Sequence, residues 1–307
     1  MGYDHSRIIA NHPHAELVAV IDVNEQRRDE VAKTLGTRSS DSLASVLHDI
    51  DAVSVCTPDH LHVDYVLEAL AARKRVLVEK PMATSSSAAL KMVTAAKWDA
   101  NALTVGHLLD ADPRVERARA ILRSGGIGDL WHVRIRRHAS RAVAQHVGEN
   151  SSVGWFGTIH DADLLINLVD AAPVEVHATG VANLISQGWD VIDATITFDN
   201  GVYATLHESW TLAAARANRS DSGIVLIGSE GSLEIDLGHG QVLHSTEDKS
   251  VAPDVMHYPS QSLRDSSDLQ VQLDRWIRSC QGQQLGVSGE RALAAVQLVD
   301  RIHASLQ

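Results

Sequence analysis

Apolar residues run almost without interruption through residues 16–23 (ELVAVIDV), 51–58 (DAVSVCTP), 75–81 (RVLVEKP) and 102–107 (ALTVGH). Such runs predict strands covered on both faces. Between them the spacing turns helical: EQRRDEVAKTLG (25–36) closed by Gly36, HVDYVLEALAAR (62–73) and SSSAALKMVTAAKWDA (85–100). A fourth amphipathic helix, 113–128, stops at a glycine pair. This alternation predicts right-handed crossovers and a doubly wound parallel sheet over residues 1–107.

After residue 129 the period changes. LWHVRIRRHA (130–139) alternates apolar and polar residues, and EVHATGVAN (175–183) does so less cleanly. DATITFDNGVYATLHESW (193–210) reads as a hairpin turning at Asn200-Gly201. GIVLIGSEGSLEID (223–236) reads as a second hairpin, and HDADLLINLVDA (160–171) as a helix between sheet segments. Two amphipathic helices close the chain, over 266–280 and from Ser288, a predicted N-cap, onward. The second half, 108–307, is therefore expected to be a separate α/β domain with antiparallel, one-face-buried strands. Its C-terminal helices are expected to pack back on the first domain.

Composition adds limits. The 307 residues exceed one small core, which agrees with two domains. With 27 Lys plus Arg against 39 Asp plus Glu, the formal charge is −12, which argues against non-specific nucleic-acid binding. No apolar run reaches the roughly 18–20 residues that span a bilayer, and no secretory leader is recognisable. Two distant cysteines, Cys56 and Cys280, read as free thiols in a reducing cytoplasm.

A dinucleotide-binding Rossmann domain opens strand, G-x-G-x-x-G turn, helix, with an acid about 20 residues on. Asp22 has that acid's spacing from Gly2. Gly2 therefore takes the place of the third glycine, and the first strand and two glycines are expected upstream of Met1, in about 10–15 residues. Without that strand, unsatisfied backbone groups cost about 1–3 kcal/mol each. Poor cofactor binding or marginal folding is then expected of the chain as written. A carboxylate at Asp22 suits the adenosine ribose diol and repels a 2′-phosphate, favouring NAD over NADP. Arg27 and Arg28 read as a solvated helix face.

Other constellations point elsewhere with less force. Cys56, His60 and His62 lack a second cluster to complete a zinc site, so no metal is expected. No G-x-S-x-G elbow signals a hydrolase. His207-Glu208-Ser209-Trp210 ends a hairpin strand and either faces a substrate or is ordinary sheet alternation.

The segment CTPDHLHVDYVLEALAARKRVLVEKPMA (56–83) resembles the "TP-x-x-x-H … K-x-V-x-x-EKP" segment of the glucose–fructose oxidoreductase / inositol dehydrogenase / rhizopine-catabolism (Gfo/Idh/MocA) family. DADPRVERARAILRSGGIGDLWHVRIRRH, IHDADLLINLV and GSEGSLEID follow in the family's order, so the likeness runs over essentially the whole chain. It implies a Rossmann domain followed by an α/β domain with a large open, mostly antiparallel sheet. It also implies hydride transfer between nicotinamide and a secondary alcohol of a sugar, inositol or related polyol, in a homo-oligomer.

By this resemblance Lys80 contacts both the nicotinamide region and the reacting hydroxyl. A fixed ammonium there stabilises the alkoxide character that develops as hydride leaves. Glu79 orients Lys80 or the cofactor. Thr57, Pro58 and His60 line the cofactor, while His62 starts the following helix. His160 matches the family's catalytic histidine, a general base. Asp163, one turn on, orients the site or caps the helix, and His107 and His207 are further substrate candidates. Two departures matter. Phe156 stands where inositol dehydrogenases carry an aspartate, which weakens the specific inositol reading. Asp110 stands where many members carry an arginine, which disfavours phosphate or carboxylate substrates. The alternative is a non-catalytic member that senses a sugar or dinucleotide.

Overall fold

The computed structural model describes residues 1–148, 151–216, 220–238, 244–245, 250–251, 267–283 and 285–306. In chain order its elements begin α1 (Gly2–Ala10), β1 (Ala19–Ile21), α2 (Glu25–Leu35), β2 (Arg38–Ser40), β3 (Ala52–Val55), α3 (His62–Ala71), β4 (Arg75–Glu79), α4 (Ser86–Ala96), β5 (Leu103–Gly106) and α5 (Pro113–Arg123). They continue β6 (Leu130–Ser140), α6 (Arg141–Val147), α7 (Ile159–Val169), β7 (Pro173–Ala182), β8 (Trp189–Phe198), β9 (Tyr203–Leu212), β10 (Ser220–Gly228) and β11 (Ser232–Asp236). The last are β12 (His244–Ser245), β13 (Ser250–Val251), α8 (Asp268–Cys280), β14 (Val287–Ser288) and α9 (Gly289–Ser305). Ser266, where the first C-terminal helix is predicted to begin, lies outside the described residues. The chain divides into two compact units, Met1–His107 with Leu269–Leu293, and Leu108–Asp268 with Ala294–Gln307.

In the first unit β3, β4 and β5 lie side by side in parallel, and β14 adds antiparallel to β5. Val76, Leu77 and Val78 of β4 are wholly buried, as an unbroken apolar run requires. Helices α3 and α4 contribute Val66, Ala69, Leu70 and Met92 to the same core. Among the described residues β1 pairs only with β2, in a separate parallel sheet. The predicted strand 16–23 is thereby cut to three residues, all half-exposed. The ladder to β2 has only three rungs, and a strand extends no further than its partner does. Caps follow the sequence: Asn24 Oδ1 accepts the Arg27 N–H at 2.9 Å, and Gly36 closes α2 at φ 68°. Helix α5 ends at Arg123, short of the predicted 128.

The second unit holds a six-stranded sheet in the order β11-β10-β6-β9-β8-β7, antiparallel throughout except for the β6–β9 pair. Both predicted hairpins are present, and the first turns at Asn200–Gly201 with Gly201 at φ 84°. Alternation gives each strand two faces. Ile135, Ile192, Ala194, Ala204, Leu206, Ile224 and Leu226 are buried on one face, while Arg134, Asp193 and His207 stand exposed on the other. Helix α7 covers the buried face, with Ile159, Leu164 and Leu165 in the core. A single π-helical turn, Gly154–Thr158, leads into it. Among the described residues no helix is long and apolar enough to cross a membrane.

Candidate active site

The carboxyl edge of the parallel sheet gathers most of the chemistry-bearing residues of the first unit. β4 ends at Glu79, so Lys80 and Pro81 leave the sheet at that edge, Lys80 half-buried and Pro81 buried. Glu79 is held from two sides. His5 Nε2, from α1, stands 3.3 Å from Glu79 Oε1. Gly106 is its register partner on β5, and a Cβ added to Gly106 would lie 2.5 Å from Oε1.

His5 is buried, and its Nδ1–H reaches Ser54 Oγ at 2.7 Å. Burial alone would lower its pKa. The Cys56 thiol and Glu79 carboxylate outweigh that and raise it to about 10. Burial pushes the Glu79 carboxyl upward, but the adjacent His5, with the charges of Lys80 and His62, holds it below its usual range. A buried imidazolium–carboxylate pair thus sits directly before Lys80 in the chain. Nothing in the pattern of the first ten residues singles out His5. It lies on the buried side of α1 with Ile8, three residues on, which is the only trace in the sequence.

His62 also does more than start α3. The ring is buried, with Nδ1 2.8 Å from Pro81 O and Nε2 2.8 Å from Thr57 O. His60, by contrast, is exposed beside Asp59, and Pro58 is exposed as well. Thr57 Oγ1 is buried with no partner among the described residues. Both cysteines are free thiols. Among the described residues no group of three or more His, Cys, Asp and Glu side chains could hold a metal ion. His107 is buried at the end of the same sheet edge.

Helix α1 begins at Gly2 with no side-chain cap on its first N–H groups. A Cβ at Gly2 would meet Cys56 Cβ at 3.7 Å, an ordinary contact. Asp22 follows β1 half-exposed, its Oδ1 accepting the Asn24 N–H at 2.8 Å and its Oδ2 3.8 Å from Arg27. Arg27 is thus exposed, as a solvated helix face implies, whereas Arg28 is largely withdrawn from solvent and pairs with Asp29 at 3.0 Å.

The second unit places His160 at the second position of α7, half-buried. Its neighbour Asp161 is fully buried and takes a bidentate pair from Arg137 on β6, Nε–H to Oδ2 at 2.9 Å and Nη2–H to Oδ1 at 2.5 Å. Glu208 lies directly across the β6–β9 ladder from Arg137 and is also buried. Burial and the adjoining Asp161 push its carboxyl well above the usual range, against the opposing Arg137. The start of α7 is thus anchored to the sheet by a buried charge cluster.

Asp163 is buried in α7. His207 alternates with Glu208, so it points to the opposite face of the sheet, where it pairs with Asp193 and stacks edge-on to His138 at 4.8 Å. The sheet thus separates His207 from α7, and ordinary alternation accounts for it. Phe156 sits in the π-helical turn with its ring 6.3 Å from that of Trp210. Asp110 accepts from Arg119 at 2.8 Å, so its charge is compensated within the unit.

Residues 1–107 match the family model "Oxidoreductase family, NAD-binding Rossmann fold", and residues 115–234 match the "GFO/IDH/MocA C-terminal domain". The chain belongs to the Gfo/Idh/MocA oxidoreductase family. Among relatives, the 2,7-anhydro-N-acetylneuraminate hydratase of Escherichia coli is 27% identical over 77% of this chain and 65% of its own. The inositol 2-dehydrogenase of Acidothermus cellulolyticus is 28% identical over 100% of this chain and 90% of its own. Among solved structures, scyllo-inositol dehydrogenase from Lactobacillus casei with bound NAD(H) and scyllo-inositol superposes with a TM-score of 0.82 at 20% identity, covering 98% of this chain and 92% of that one. That likeness places the fold.

The family's Rossmann domain is an NAD-binding domain, and the residues present fit such a group. The uncapped α1 N-terminus offers N–H donors of the kind that hold a pyrophosphate. The orphaned Thr57 hydroxyl lies at the end of the neighbouring strand, and Asp22 presents a partly exposed carboxylate after β1.

Proposed function

We propose that this chain is an NAD-dependent oxidoreductase acting on a secondary alcohol of a sugar, inositol or related polyol. The single observation that carries the reading is the setting of Lys80. A half-buried lysine follows the last residue of a central parallel strand, with its two chain neighbours fixed by buried histidines. Ligands in open parallel sheets bind beyond the carboxyl ends of the strands. The names of the inositol dehydrogenases in the family support the substrate class.

NAD, when bound, would supply the hydride acceptor. Lys80 holds the hydroxyl oxygen and stabilises the negative charge that develops on it. His160 takes the hydroxyl proton, with Arg137 and Asp161 fixing the turn that carries it. Thr57 and the α1 N-terminus at Gly2 hold the dinucleotide, and Asp22 accepts from its ribose. Phe156 leaves an apolar surface where an inositol dehydrogenase has a carboxylate, which favours a substrate less hydroxylated on that side.

The test is a panel of inositols, aldoses and anhydro-sugars with NAD, read by absorbance of the reduced nicotinamide, beside Lys80→Ala and His160→Ala. Turnover on at least one polyol, lost by about a hundredfold or more in Lys80→Ala, is expected. NAD binding with no turnover across the panel would instead favour a non-catalytic, dinucleotide-sensing member.

A further inference from the structure

We infer that His62 is a positioning residue for Lys80, acting as a two-ended clasp between the loops after β3 and β4. The reading rests on the proposed role of Lys80, but its geometry is independent of it. The ring is almost fully buried at 1% exposure, and both nitrogens face backbone carbonyls. Nδ1 meets Pro81 O and Nε2 meets Thr57 O, each at 2.8 Å. A carbonyl oxygen can only accept, so each contact is a hydrogen bond only where the ring nitrogen donates, and both are bonds at once only in the doubly protonated ring.

The two carbonyls belong to different loops. Thr57 follows β3, and its orphaned hydroxyl is one of the groups suited to the dinucleotide. Pro81 follows Lys80. One ring therefore fixes the spacing between a cofactor-contacting loop and the reacting ammonium. Glu79, on the other side of Lys80, is held by His5 at 3.3 Å. The Glu79 carboxylate before the lysine and the Pro81 carbonyl after it are thus each met by a buried imidazole, from α1 and from α3, while the lysine stays half-buried. Small displacements of a reacting group matter greatly, about a hundredfold in rate for a misplacement of about 1 Å.

The two arms can be cut separately. The amide of asparagine places its N–H near the Nδ1 position of histidine, and that of glutamine near Nε2. His62→Asn keeps a donor toward Pro81, and His62→Gln keeps one toward Thr57. Both delete the ring, so a merely structural role predicts that the two behave alike.

The first readout needs no turnover. Apoprotein is pulsed with succinimidyl acetate, and acylation of the Lys80 peptide is followed by mass spectrometry against the Lys33 and Lys91 peptides. His62→Asn should stay within about twofold of wild type, and His62→Gln should change Lys80 labelling by about fivefold or more. On a polyol substrate, kcat per folded molecule should fall about ten- to hundredfold in His62→Gln and far less in His62→Asn. The NADH dissociation constant, read by fluorescence, should shift in the opposite order because it follows the Thr57 arm. Equal behaviour of the two variants in Lys80 labelling overturns the proposal. Should either variant fail to fold, the ring-nitrogen NMR signals of the wild type decide: a bare nitrogen at His62 overturns the clasp, and two donor N–H groups uphold it. Altered labelling without turnover on any polyol leaves the clasp standing and removes the dehydrogenase reading instead.

Discussion

Gly106 and Glu79 are partners across the β4–β5 ladder, and Glu79 Oε1 occupies the space where a Cβ of residue 106 would lie, 2.5 Å away. The Glu79 Cα is 3.3 Å from the same point, so the backbone cannot simply retreat. Gly106→Ala must therefore turn the Glu79 carboxylate away from His5. A loss of about 1–3 kcal/mol in urea unfolding is expected, the range of overpacking changes. Because it breaks the His5 contact, its effect should be less than additive with His5→Asn in a double-mutant cycle. Full additivity would mean that Glu79 stays in place.

His5 supplies a pH signature. Its folded-state pKa is raised to about 10 from an ordinary 6.5, so the stability it contributes is fully present below 6.5 and is lost as pH rises through about 10. Glu79 titrates in the opposite sense: its pKa is lowered, and its contribution is lost as pH falls below the ordinary 4.5. Both signs describe one ion pair and are not to be summed. The gap in unfolding free energy between wild type and His5→Asn should be about 3–5 kcal/mol near pH 6, as for a broken buried pair. It should narrow steadily toward pH 10. A gap that holds constant over this range would show His5 to be neutral in the fold.

Glu208 makes a contrary prediction in the second unit. Its pKa is raised well above the ordinary 4.5, chiefly by burial and then by Asp161. An acid kept neutral in the fold contributes stability that is fully present below 4.5 and drains away as pH rises toward its folded value. Glu208→Gln keeps the shape without that dependence. It should therefore gain on wild type between pH 5 and 8 in thermal unfolding, whereas Glu208→Ala should lose about 1–3 kcal/mol throughout by leaving the Arg137–Asp161 pair short of a neighbour. Parallel pH curves for wild type and Glu208→Gln would show that Glu208 ionises normally.

The sequence already carried the sheet–helix alternation, the Asn200–Gly201 hairpin and the Glu79-Lys80-Pro81 edge, because each is a local pattern of period, turn or motif. β1 was overestimated because strand length depends on a partner, and β2 offers only three rungs. The Glu79–Gly106 fit, the His5–Glu79 pair and the His62 clasp escaped for the same reason. Each joins residues far apart in the chain, such as 5 with 79 and 62 with 81, and no periodicity encodes such a meeting. His207 and Glu208 show the converse. Their opposite faces follow from strand alternation alone, and Arg137 reaching Asp161 marks the face of Glu208 as the one that carries α7.

Asp22 offers a test of the dinucleotide reading that needs no substrate. Its carboxylate follows β1 with Oδ1 on the Asn24 N–H and Oδ2 3.8 Å from Arg27, whose side chain is otherwise 72% exposed. In the proposed complex this carboxylate accepts from a ribose diol and repels a 2′-phosphate. Asp22→Ala removes both effects and releases Arg27, a cation of the right kind to meet a phosphate. The NADH dissociation constant should rise about tenfold while that of NADPH falls, so that the ratio of the two shifts by more than either alone. Arg27→Ala added to Asp22→Ala should return NADPH to weak binding while leaving NADH where the single variant put it. An unchanged ratio in Asp22→Ala would place the ribose away from the end of β1 and undo the assignment of Asp22.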